Sequence, residues 1–173
     1  YHKTEKSYPG YRTILASGQN ATILHYIDNN RQIEENDLVL IDSGCEYKYY
    51  NGDVTRTFPA NGKFTDAQRE IYQIVLETQI ALINMIKPRI TIDKVNKRAI
   101  RLLTEGMIKL GLLEGDTNKL IEDKKYQKFY MHSVGHMLGL DVHDVGKTAD
   151  GDEYRKGLCS DLGFSKEDRN TNI

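Results

Sequence analysis

The chain has only two cysteines in 173 residues, Cys45 and Cys159, and their spacing fits neither a disulfide framework nor a zinc knuckle. Both are expected to be reduced thiols, which predicts a cytoplasmic protein. No apolar run approaches the roughly 18 residues needed to cross a bilayer, so no membrane partner is expected. The opening stretch carries Lys3, Glu5 and Lys6 and is not a signal peptide. It also lacks an initiator methionine, which predicts a start inside a larger protein. Charge of one sign is not in excess: 24 Lys and Arg stand against 25 Asp and Glu. That balance leaves no basic footprint for nucleic acid. Repeats and low-complexity segments are missing too.

What remains is an ordinary globular composition, 39% hydrophobic and 28% charged. The length suits one domain, and a chain of this size buries about 70% of its unfolded surface without staples. Residues 12–16 and 21–26 are short apolar runs separated by Ser17-Gly18-Gln19-Asn20, which predicts two strands and a turn. Leu38-Val39-Leu40-Ile41 reads as a strand buried on both faces, and residues 54–58 as another, stopped by Pro59 and Gly62.

The period then changes. Thr65 with Gln68 forms a capping-box signature, and apolar residues from Ile71 to Met85 recur at helical spacing before Pro88. A second helix fits Ile92 to Leu110, closed by Gly111. Residues 113–128 read as a loop with a short helix. Strands followed by a helix pair predict an α+β fold. Residues 147–173 are nearly devoid of consecutive apolar residues and are expected as a divergent tail after a main body of residues 1–146.

Two groups of residues could carry chemistry. Asp42 ends one strand and Asp53 begins the next. A hairpin turning near Tyr47-Lys48 would set them directly opposite, with Cβ atoms about 5 Å apart. Carboxylates so placed repel unless exposed, protonated or bridged by a cation, and a hard divalent metal suits them. The same spacing also fits turn-flanking aspartates in a solvated loop. The second group is His132, His136 and His143, three of five histidines within one glycine-containing stretch. Histidine is the commonest metal ligand and acid–base group. Gly135 and Gly139 disfavour a helix here, and loop imidazoles satisfied by backbone fit the pattern equally well. His25 by itself reads as a structural histidine near a strand end. Cys45 lacks a partner base. Tyr47, Tyr49 and Tyr50 form a sheet face or an interface patch.

Three longer stretches carry a resemblance. They are Leu38 to Tyr47, Asn51 to Phe64, and Met131 to Gly146. Together they resemble the Xaa-Pro aminopeptidase (aminopeptidase P) family of pita-bread metallopeptidases, over residues 8–146. The resemblance implies a pita-bread α+β fold and a site for two Mn2+ ions held by two Asp, one His and two Glu. Asp42, Asp53 and His136 match the Asp and His ligands. His25, His132 and His143 match histidines that hold substrate and stabilise the tetrahedral intermediate. Tyr11 matches a tyrosine near the substrate pocket. The implied reaction hydrolyses the bond between an N-terminal residue and proline, with a Glu ligand as general base. The implied partners are Xaa-Pro peptides, with homo-oligomerisation possible.

The sequence also departs from that pattern. Residues 158–168 stand where a Glu-Pro-Gly motif belongs and contain none, and the second Glu would fall beyond Ile173, so both Glu ligands are expected to be missing. The fold is therefore expected to be incomplete at both ends. Two further readings follow: a catalytically inactive truncated or frameshifted fragment, and a non-enzymatic pita-bread binding module.

Overall fold

A computed structural model of the chain describes residues 7–145. The expected tail, residues 147–173, lies outside the described residues. The chain forms two compact units. The first contains residues 7–65 and Met137–Asp144, and the second Asp66–His136 with residue 145.

The first unit holds six strands in two antiparallel three-stranded sheets. One sheet has the order β1 (Ser7–Pro9), β4 (Cys45–Tyr47), β5 (Tyr50–Asn51). The other has the order β2 (Ile14–Ser17), β3 (Leu38–Asp42), β6 (Thr55–Pro59). The Leu38–Ile41 run, expected to be buried on both faces, is the central strand of its sheet, but only Val39 within it is buried, its neighbours being half-buried. A small core of Ile14, Ala16 and Tyr26 gathers on one face of this sheet, with Ala21 and Leu40 against it.

The strand expected over residues 21–26 does not form. Gly18 turns the chain at φ 55°, a 3-10 helix runs Gly18–Thr22, and His25 sits at φ 56°. A sheet partner is not needed along that edge of β2. The Asn29 side chain accepts from Leu15 N at 2.8 Å and donates to Thr13 O at 2.8 Å, so one amide imitates a neighbouring strand.

Before β3, the Arg31 guanidinium bonds Asp37 and donates to Ser17 Oγ at 2.8 Å. The hydrogen bond from Arg31 comes first among the causes that hold the Asp37 carboxyl below its ordinary value, followed by one from Glu34 N. A depressed folded-state value means stability present at neutral pH and lost as pH falls through the carboxylate range. Asp37→Asn is therefore expected to lower the urea midpoint at pH 7. The difference from the parent chain should close in acid, and a constant difference down to pH 2 would refute the assignment.

The second unit is helical. The helices α1 (Asp66–Met85) and α2 (Ile92–Lys109) match the periodicity closely. Thr91 caps α2 by accepting from Lys94 N, and Gly111 ends it at φ 70°. The two helices meet at Gly106, where an added Cβ would lie 2.4 Å from Ile74 Cγ2. Within the polar stretch, α3 (Thr117–Glu122) is capped by Asp116 and buries Leu120. No helix among the described residues is long and apolar enough to cross a membrane.

Candidate metal centre

The two aspartates sit at a strand switch. β3 pairs with β6 so that Asp42 faces Thr55, and β4 pairs with β5 so that Tyr47 faces Tyr50. These ladders share one register and form a single long hairpin. Its turn is Lys48-Tyr49, both at positive φ (51° and 67°), the conformation that matches strand twist in a two-residue turn. The expected turn was one residue earlier. Continued through the gap, the observed register sets Gly44, not Asp42, across from Asp53, so the two acids are not directly opposed.

They converge by another route. Between β4 and β5 on one side and β3 and β6 on the other, the hairpin passes from one sheet to the other. Ser43 N donates to Val54 O at 3.1 Å and Gly52 N to Cys45 O at 2.8 Å. Gly44 touches the Gly52 backbone so closely that a Cβ would lie 1.7 Å from Gly52 O. Tyr11 follows β1, tied nearby by Gly10 N donating to Gly44 O at 3.0 Å. Its hydroxyl donates to Asp42 Oδ1 and lies 3.0 Å from Asp53 Oδ1. Burial first, then the hydrogen bond and charge of Asp42, then those of Asp53, push the phenol above its ordinary value. Tyr11 therefore stays a proton donor between two acceptors.

A histidine stands beside this pair. Ligand atoms of Asp53 and His143 lie within 4.8 Å of each other, and the His143 and His25 rings are 6.0 Å apart. The segment Met137–Asp144 that carries His143 is pinned to β5. Asn51 N donates to Gly139 O at 2.9 Å, Asn51 Nδ2 to Leu140 O at 2.7 Å, and the Tyr50 hydroxyl to Leu138 O at 2.7 Å. A bridge between Met137 and Asp144 closes the segment. Thus Asp42, Asp53, Tyr11, His25 and His143 belong to the first unit. His132 and His136 belong to the second. His132 is exposed with Nδ1 2.8 Å from Ser133 O, and His136 is half-buried immediately before Met137 in the chain.

The donor set suits a hard divalent cation. Two carboxylates reach one hydroxyl, and an imidazole lies beside one of them, which is the oxygen-rich mixture that such ions take. Missed in the sequence are the anchoring roles of Asn51 and of Tyr50, which the sequence marks only as part of a sheet face or an interface patch. Their partners lie 88 and 89 positions away, so no local pattern marks them.

Comparison with known proteins gives the family. The family model for metallopeptidase family M24 matches residues 1–161. Xaa-Pro aminopeptidase of Haemophilus influenzae is 53% identical over 139 residues, 80% of this chain and 32% of that protein. A histidine-to-alanine variant of Escherichia coli aminopeptidase P superposes with TM-score 0.80 at 50% identity, covering 83% of this chain and 32% of that one. A zinc-substituted form of the same enzyme in complex with product gives TM-score 0.78 at 52% identity, covering 80% and 32%. The chain spans about a third of the length of these relatives. Its architecture is the α+β pita-bread fold, and the chain belongs to metallopeptidase family M24, a family of hydrolases.

Proposed function

We propose that the chain is the larger part of a catalytic domain, residues 1–146, of a metal-dependent aminopeptidase that cleaves the bond between an N-terminal residue and proline. The observation that carries this is the convergence of Asp42 and Asp53 on one hydroxyl. Such a pair of acids suits a divalent cation, and the Xaa-Pro aminopeptidases to which the chain is similar suggest the substrate class. In this reading Asp42, Asp53 and His136 hold manganese. When bound, divalent ions lower the pKa of water and polarise the scissile carbonyl. The chain's own residues do the rest. Tyr11 orients the two carboxylates, its single hydroxyl proton donated to Asp42 with Asp53 Oδ1 at 3.0 Å as the second acceptor in reach. His143 stands beside Asp53 with the His25 ring 6.0 Å from its own, and the family resemblance assigns His25, His132 and His143 to holding the peptide. The cysteine usage supports a cytoplasmic location.

The test uses the 173-residue chain with manganese and an Xaa-Pro peptide. Release of the first residue, abolished by chelation, is the expected result. Bound manganese without release would make this chain an inactive remnant, the alternative that the lack of a Glu-Pro-Gly motif in residues 158–168 favours. Neither binding nor release would overturn the reading.

A further inference from the structure

We propose that Tyr130 and Asn96 are positioning residues that hold His132 as a hydrogen-bond acceptor toward an N–H or O–H donor of the bound peptide. The proposal rests on the reading above that His132 faces substrate.

The problem it addresses is order. His132 is exposed and lies on an irregular stretch, where an imidazole would ordinarily sample several rotamers. Two contacts restrain it, both within the helical unit. The Tyr130 ring meets the His132 ring edge-on, with centroids 5.2 Å apart and planes at 61°, the arrangement aromatic quadrupoles favour. On the other side, His132 Nδ1 lies 2.8 Å from Ser133 O.

Tyr130 is itself anchored. Its backbone N donates to Tyr126 O at 2.9 Å, and its hydroxyl donates to Asn96 Oδ1 at 3.3 Å. Asn96 is on α2 next to buried Val95, one turn beyond the Thr91 cap. A rigid helix therefore holds the amide, the amide holds the phenol, and the phenol ring sets the imidazole plane.

The Ser133 contact fixes the proton. A carbonyl oxygen only accepts, so Nδ1 must carry the hydrogen. The neutral ring then presents the Nε2 lone pair outward, and only the imidazolium can donate from that atom. The neutral ring is thus built to receive a hydrogen bond from a free amine, an amide N–H or a hydroxyl of the peptide, not to give one to a carbonyl oxygen.

The experiment reads the ring nitrogens of His132 by 15N NMR in the 173-residue chain, assigned by loss of the signals in His132→Gln. Neutral His132 is expected in the Nδ1–H form. Tyr130→Leu should lower the Nδ1–H to Nε2–H ratio by about two- to tenfold, the range for losing an aromatic pair. Tyr130→Phe and Asn96→Ala should each give a smaller and equal loss, and the double variant no more than either. A ring found mainly as Nε2–H, or a ratio unmoved in every variant, overturns the proposal. Where Tyr130→Leu does not fold, Tyr130→Phe and Asn96→Ala carry the test, because both keep the ring. No cleavage is measured, so an inactive chain leaves the test intact. An active chain with an unmoved His132 ratio defeats this proposal alone.

Discussion

Asp53→Asn is expected to weaken manganese binding by on the order of 100-fold or more, and Asp42→Asn by a similar factor. The scale follows from metal sites generally, where even the partners of ligands are worth about 10–100-fold. A second signature separates a ligand from a structural residue. In the metal-free chain, Asp42 and Asp53 share one donor, the Tyr11 hydroxyl, and their like charges repel. Removing one charge relieves that repulsion, so the metal-free Asp53→Asn chain should melt no lower than the parent. The parent should gain thermal stability with added manganese, by mass action on the folded state, and the variant should gain none. Calorimetric melting with and without manganese measures both effects. A variant that melts far below the parent without metal, yet still responds to manganese, would make Asp53 a structural residue. This inverse relation of stability and binding is what a site of paired acids implies, because the repulsion that costs stability is what a cation neutralises.

How much of this was legible in the sequence depends on how local each signal is. Both long helices were legible because their apolar period and end signals are short-range: Thr91 caps α2 and Gly111 ends it within the residues themselves. The central strand was legible from its continuous apolar run. The false strand over residues 21–26 shows the limit of that logic. Ile23 and Leu24 are apolar but exposed, and the edge they would have covered is satisfied by the Asn29 side chain, a contact no periodicity reports. At the site, type and spacing singled out the aspartates but fitted a solvated turn as well, so the family resemblance made them candidates, and the observed hairpin pairs Asp42 with Thr55, two residues from the expected partner. Lys48 and Tyr49 adopt positive φ without being Gly or Asn, so the turn carried no recognisable turn residue. Tyr11, the group that joins the two acids, lies 31 and 42 residues from them and entered only through family resemblance.

Gly44→Ala is expected to be among the most damaging single-methyl additions in the chain, and Gly52→Ala nearly neutral. Both glycines flank the strand switch, and composition treats them alike. Their surroundings differ. A Cβ on Gly44 would lie 1.7 Å from Gly52 O, 2.6 Å from Gly52 C and 2.8 Å from Tyr11 Cε1. Two of those atoms are backbone, so rotamer changes cannot make room and the arms of the hairpin must part. A Cβ on Gly52 would meet only Cys45 O, at an ordinary 3.5 Å. The cost at Gly44 should reach about 3 kcal/mol, the upper part of the range for overpacking, against well under 1 kcal/mol at Gly52. The consequence for function follows from where the arms part. Asp42 ends one arm two residues before Gly44, Asp53 follows Gly52 on the other, and the ring pushed aside is Tyr11. Spreading the switch therefore separates the carboxylates and displaces the hydroxyl between them. Urea unfolding should show the stability difference, and manganese titration should show Gly44→Ala binding more weakly although no ligand has changed. Equal stability and equal metal affinity in the two variants would mean that the close approach at the switch does not position the acids.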